Sequence, residues 1–151
     1  MTVTMTPITH SDREAFLQMA ERHFRGLNPS FVPEPDWCQH YFDKILASPR
    51  TLARWILVDG ERAGFMLFGV EEHRFLPRLT GMIYELYVAP EFRRLGVARH
   101  CATDAIAELQ SYAPSKIQLE VMEENEGAKA LWISLGFCKV SERYVLLQEK
   151  P

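Results

Sequence analysis

Arg93-Arg94-Leu95-Gly96-Val97-Ala98 is the stretch on which the reading of this chain turns. It follows an apolar run, Met82 to Val88, that reads as a strand, and it leads directly into a helix-periodic segment. A helix beginning there presents unpaired backbone N–H groups and the positive end of its dipole, a combination that binds anions. Gly96 lets the backbone approach a phosphate closely and adopts dihedrals that other residues resist. Arg93, Arg94 and Arg99 add positive charge to the same corner. On its own the stretch reads equally as a solvated turn, so its neighbours have to decide.

Working outward, the segment after the arginines carries Val97, Cys101, Ala105 and Leu109 at four-residue spacing, widened by Ala98, Ala102 and Ile106, and Pro114 closes it. Ile117 to Met122 reads as a strand, Glu126 to Leu135 as a short helix and Cys138 to Leu147 as a final strand. Upstream, Thr51 to Val58 and Ala63 to Val70 are β-branched or aromatic runs joined by Asp59-Gly60-Glu61-Arg62, a hairpin signal. Thr2 to Ile8 reads as a first strand. Ser11 and Glu14 form a capping box before a helix whose Phe16, Met19, Ala20, His23 and Phe24 share one face. Asp36 caps a second helix with Trp37, Cys38, Tyr41, Phe42 and Ile45 on its apolar stripe, and Pro49 ends it.

The order is therefore β-α-α-β-β-β-α-β-α-β. Antiparallel strands come first, and the later strand-helix-strand unit is expected to be a right-handed parallel crossover. The class is α+β (mixed α/β): a mixed antiparallel/parallel central sheet with helices on both faces. This order argues against a dinucleotide fold, which begins with the glycine-rich βαβ unit and carries GxGxxG. At 151 residues the chain is expected to form one domain, 1–151. A net charge of -3 argues against a dedicated nucleic-acid binder. Cys38, Cys101 and Cys138 are widely spaced and odd in number, and read as buried thiols in a reducing compartment. His10, His23, His40, His73 and His100 are scattered and read as core or surface histidines, so no metal is expected. The start of the chain has no signal pattern and no apolar run is long enough to span a membrane, so a cytoplasmic location is expected.

A second motif, Asn125 to Phe137, makes structural sense by itself. Asn125 is a good N-cap, Gly136 sits where a left-handed C-terminal residue is wanted, and Ala128, Leu131, Trp132 and Leu135 make one stripe. Together with the arginine stretch, it makes the chain resemble the GNAT acetyltransferase superfamily. The first family motif, Arg/Gln-x-x-Gly-x-Gly/Ala, is matched by Arg93, Gly96 and Ala98. The second, Asn-x-x-Ala-x-x-Leu-Tyr-x-x-x-Gly-Phe, is matched by Asn125, Ala128, Leu131, Gly136 and Phe137. Glu85-Leu86-Tyr87-Val88-Ala89-Pro90 is similar to the family strand that runs into the phosphate loop.

The resemblance implies an acetyl-CoA-dependent N-acetyltransferase, with acetyl-CoA as co-substrate and a primary amine of a small molecule or peptide attacking the thioester. It implies that amides of Leu95, Gly96, Val97, Ala98 and Arg99 cradle the pyrophosphate beside Arg93 and Arg94. Leu86, Tyr87 and Val88 would pair their main chain with the pantetheine arm, between strands splayed apart. Asn125 would bond the same arm, with Ala128, Lys129 and Trp132 lining that side. An amine held mostly protonated at neutral pH needs a base. Two glutamates inside apolar strands, Glu120 and Glu85, are the candidates, Glu85 being read on one strand face with Ile83 and Tyr87. Glu120 stands at the spacing of the base in the ribosomal-protein N-terminal acetyltransferase branch. Trp132 departs from the pattern, since the family often has a tyrosine there as general acid, which leaves the acid open among water, Tyr87 and Tyr144. Acceptor contacts are expected from residues 28–37 and 71–80. The rival readings are a non-catalytic acyl-CoA-binding module of the same fold and an anion-binding interaction domain. The partners expected are acetyl-CoA and the amine, with no nucleic acid or membrane, in a monomer or homodimer.

Overall fold

Ala63 to Val70 is buried without a break, the pattern of a strand covered on both faces. In the computed structural model, which describes residues 1–148, this run lies inside β3 (Glu61–Glu72), the middle strand of five. The others are β1 (Val3–Pro7), β2 (Thr51–Val58), β4 (Leu79–Val88) and β5 (Lys116–Leu119). Their order in the sheet is that of the chain. β1 to β4 are antiparallel, and β5 joins β4 in parallel after α3 (Val97–Gln110). Two helices, α1 (Arg13–Leu27) and α2 (Pro35–Ala47), intervene between β1 and β2, and α4 (Glu126–Ser134) follows β5. The described residues fall into two compact units, Met1–Glu120 and a second from Val121 onward.

Within the first unit the expected mixed sheet is present, and side-chain alternation assigns its faces. Phe16 and Ala20 of α1 and Phe42 of α2 pack with Ala53, Trp55, Phe65, Leu67 and Tyr87. The Phe16 ring lies 5.0 Å from Phe65 and 5.5 Å from Phe42, edge-on or tilted as aromatic quadrupoles prefer. On the other face α3 lies against β1, β3 and β4 and buries Val97, Cys101, Ala102, Ala105 and Leu109, the stripe expected of it. Arg54, next to Trp55 and so on the opposite face, reaches Glu108 of α3 at 3.0 Å.

Several local details differ from expectation. The hairpin turn is two residues, Asp59 (φ 50°) and Gly60 (φ 82°), because Glu61 and Arg62 already pair with Val58 and Leu57. The capping pair before α1 is Thr9 and Asp12, not Ser11 and Glu14. A short 3-10 turn, His10–Asp12, precedes the helix, and the Thr9 N–H donates to Asp12 Oδ2 at 2.9 Å. Helix α2 starts at Pro35, whose fixed φ suits a first turn, so Asp36 lies inside the helix and does not cap it. Cys101 is buried as expected, and burial pushes its thiol up to about 12, but Cys38 and Cys138 are exposed. Among the described residues no helix is long and apolar enough to cross a membrane.

Asp12 also accepts from Trp55 Nε1 at 3.1 Å and from Arg62 at 2.9 Å, tying the start of α1 to β2 and β3. The Thr9 backbone bond foremost, then Trp55, holds its carboxyl below the usual range. A lowered carboxylate contributes stability that is complete above its unfolded value of about 4 and is lost as pH falls through the folded value. Asp12→Ala is expected to cost about 1–3 kcal/mol at pH 7. Urea unfolding at pH 7 and pH 3 checks this, with the gap between variant and wild type narrowing at the lower pH.

In the second unit the Asn125 Oδ1 accepts the Ala128 N–H at 3.1 Å and starts α4. The helix ends in a complete Schellman motif: Gly136 (φ 100°) donates to Ile133 O, and Phe137 donates to Trp132 O at 3.0 Å. The Phe137 and Trp132 rings meet at 5.5 Å, the apolar contact that accompanies such an ending. The expected strand Cys138 to Leu147 is not formed. Strand propensity needs a neighbouring strand to supply backbone partners, and among the described residues no ladder includes this segment.

Candidate active site

The sheet opens at one place. β5 pairs with β4 only from Thr80↔Lys116 to Ile83↔Leu119, while β4 runs on to Val88 against β3. At the same point β4 carries a bulge: Phe68 opposes Ile83 and Leu67 opposes Glu85, leaving Tyr84 extra. The bulge shifts the alternation, so Ile83 and Glu85 lie on opposite faces. This corrects the expectation that they share one. Glu85 and Tyr87 instead face the α1 and α2 side, where Tyr87 joins the core.

Register also sorts the main-chain groups of this edge. The Ala89 N–H donates to Ala63 O at 2.7 Å between directly opposed residues, which fixes the alternation of bonded pairs. Tyr87 and Glu85 then bond β3, whereas Leu86 and Val88 turn their N–H and C=O groups to the edge that β5 has left. Of the three residues expected to offer main chain here, Leu86 offers both groups and Val88 its N–H at the open edge, while Tyr87 bonds β3 and puts its ring into the core.

Beyond Val88 the chain makes a 3-10 turn, Pro90–Phe92, and enters the arginine stretch. Arg93 is folded back: its Nε donates to Val88 O at 2.8 Å, and its guanidinium lies 5.9 Å from the centre of the Tyr87 ring. It clasps the loop to the strand. Arg94 (φ 63°) and Gly96 (φ 80°) are both left-handed, which swings the chain so that α3 starts immediately at Val97. The first bond back along the helix is His100 N–H to Gly96 O at 3.0 Å, so the N–H groups of Val97 and Ala98 precede the ladder. A Cβ on Gly96 would meet nothing within 4 Å. Leu95, Arg94 and Arg99 are exposed around this opening. Open edge, bare glycine and helix start together fit an extended anionic group such as CoA.

Glu85 stands beside this edge with its side chain 26% exposed. Its Oε2 lies 2.6 Å from Nε2 of His23, a residue of α1 that is 8% exposed and ringed by Phe24, Phe65 and Tyr87. Tyr41 of α2 is close enough that the Glu85 charge, after burial, raises its phenol, which therefore stays protonated. Further out, Trp37 stacks on Tyr41 at 5.2 Å and meets Phe31 and Phe24. Glu120, the other candidate, is exposed one residue past the end of β5. The sequence reading placed His23 on the buried stripe of α1 as a core or surface histidine and gave it no role at the site.

The remaining candidates belong to the second unit. Asn125 is engaged as the cap of α4, Ala128 is its donor partner, and Trp132 is buried. Lys129 donates its Nζ to Glu123 O and lies 3.3 Å from Glu126. Among the described residues no group of three or more histidine, cysteine or acidic side chains is placed to hold a metal ion.

Comparison with known proteins accords with this geometry. The model of the Acetyltransferase (GNAT) family matches residues 14–137. An uncharacterized N-acetyltransferase of Methanocaldococcus jannaschii is 25% identical over 142 residues, covering 90% of this chain, which spans 61% of that relative's length. The N-alpha-acetyltransferase RimI of Mycobacterium tuberculosis is 28% identical over 145 residues, covering 93% of this chain and 82% of the relative. Among solved structures, a ribosomal-protein-alanine N-acetyltransferase from Brucella melitensis biovar Abortus superposes with a TM-score of 0.78 at 18% identity, covering 98% and 100% of the two chains. With that fold and a family match over most of its length, the chain belongs to the GNAT acetyltransferase family and is a transferase of the N-acetyltransferase kind.

Proposed function

We propose that the chain transfers an acetyl group from acetyl-CoA to a primary amine of a small molecule or peptide, with Glu85 as the base. The observation that carries this reading is the departure of β5 from β4 at Ile83, which leaves the Leu86 main-chain groups and the Val88 N–H open beside a half-buried carboxylate. Acetyl-CoA supplies the activated thioester. The Leu86 main chain pairs with its amide-bearing arm, and the Leu95–Ala98 amides receive its pyrophosphate at the positive end of α3. The Val88 N–H polarises the thioester carbonyl, a role that needs a fixed donor and no titrating group. Glu85 takes the proton that the amine must lose before or as it attacks, directly or through a water. A C–N bond forms and the C–S bond breaks. The departing thiolate has a thiol pKa of about 8.5 by analogy with cysteine, so water suffices to protonate it.

The acceptor enters from the α1 and α2 side, where Glu85 faces. Measuring CoA release with acetyl-CoA against an alanine-initiated peptide, a polyamine and an aminoglycoside tests the reading. Release that depends on one of these amines supports it. Tight CoA binding without release on any amine would favour the non-catalytic module.

A further inference from the structure

We infer that His23 is a positioning residue for Glu85, fixing through its Nε2–H which oxygen of the carboxylate meets the substrate amine. The inference rests on the reading of Glu85 as base and adds a residue from a different element to it. A nitrogen and an oxygen 2.6 Å apart require a proton between them; with Glu85 ionised, as a base has to be, His23 donates from Nε2 and Oε2 accepts. Oε1 is left as the oxygen open to a ligand. Among the described residues no second hydrogen bond holds this carboxylate, so its rotamer depends on the imidazole.

The imidazole is itself immobilised. It is edge-on to Phe65 (88°, 5.7 Å) and tilted against Phe24 at 5.0 Å and Tyr87 at 5.3 Å. It projects from the same buried stripe as Phe16 and Ala20, so a phenylalanine would satisfy the packing equally well. What a phenylalanine lacks is the donor. The bulge at Tyr84 is the matching device on β4, because without it Glu85 would point to the α3 face, away from His23. Tyr41 from α2 and Tyr87 from β4 are the other titratable side chains facing the pair, with Arg93 behind the Tyr87 ring.

Packing and positioning predict opposite rankings of substitutions. His23→Gln keeps an N–H at a reach close to that of Nε2, whereas His23→Asn is one methylene shorter and His23→Phe keeps only the ring. With an alanine-initiated peptide as acceptor, or butylamine at high concentration if the peptide does not turn over, His23→Gln is expected within about fivefold of wild-type kcat. His23→Asn and His23→Phe are expected to lose about a hundredfold, with KM for acetyl-CoA unchanged, the scale of a misplaced reacting group. In a Glu85→Gln background the three are expected to be indistinguishable. Wild-type kcat in His23→Phe, or His23→Gln no better than His23→Asn, would overturn the inference while leaving Glu85 as base. Wild-type activity in Glu85→Gln would overturn both.

Discussion

Glu85→Gln is expected to lower kcat by about 10²–10⁴-fold, the contribution of a positioned general base. The amide is isosteric and can still accept from the donor that His23 presents, so the fold and the loop before α3 should be unaffected and KM for acetyl-CoA should hold. The defect should shrink with pH. An alkylamine with a pKa of about 10 is neutral in roughly a hundredfold greater proportion at pH 9 than at pH 7, and so needs the base less. Glu120→Gln, by contrast, changes an exposed group beyond the end of β5 and should stay near wild type at both pH values. Measuring kcat for both variants at pH 7 and pH 9 decides between the two glutamates. A pH-dependent loss in Glu120→Gln alone would transfer the role.

Gly64→Ala is expected to be the most damaging small substitution in the sheet. A Cβ there would lie 1.9 Å from Tyr87 O and 2.9 Å from its carbonyl carbon. Both are backbone atoms in the pair that fixes Leu86 and Val88 at the open edge, so relief requires the β3–β4 ladder to part. The expected cost is about 2–4 kcal/mol, a fall in Tm on the order of 10 °C, read by thermal unfolding. Gly26→Ala is the control. It lies in α1 with nothing within 4 Å, and a helix favours alanine over glycine by up to about 1 kcal/mol. A Tm for Gly64→Ala equal to wild type would mean that β3 and β4 are not paired in this register.

The parts of the fold legible from sequence are those written in local chemistry. Asn125 and Gly136 bracket α4 as their capping preferences require, Asp59-Gly60 turns the hairpin, and the spacing from Val97 to Leu109 becomes the buried stripe of α3. What was missed depends on partners elsewhere in the chain. The Tyr84 bulge has no sequence mark, because an extra residue is defined only by the strand opposite, and it reversed the face assigned to Glu85 relative to Ile83. Thr9 took the capping role from Ser11 because Asp12 is also claimed by Trp55 and Arg62, 43 and 50 residues away. His23 looked like a core histidine and is one, yet its ring nitrogen meets a carboxylate 62 residues on. The residues of Cys138 to Leu147 have strand composition, but composition does not provide a neighbour.

In the proposed reaction the β4 edge and the start of α3 form one acyl-CoA site. Titrating CoA into the isotopically labelled chain and following backbone amide shifts tests this directly. Saturable shifts are expected at Leu86, Val88 and residues 95–98, with those of α2 and the β2–β3 turn unmoved. Absence of binding by the folded chain, or shifts that leave Leu86 and Val88 untouched, would contradict it.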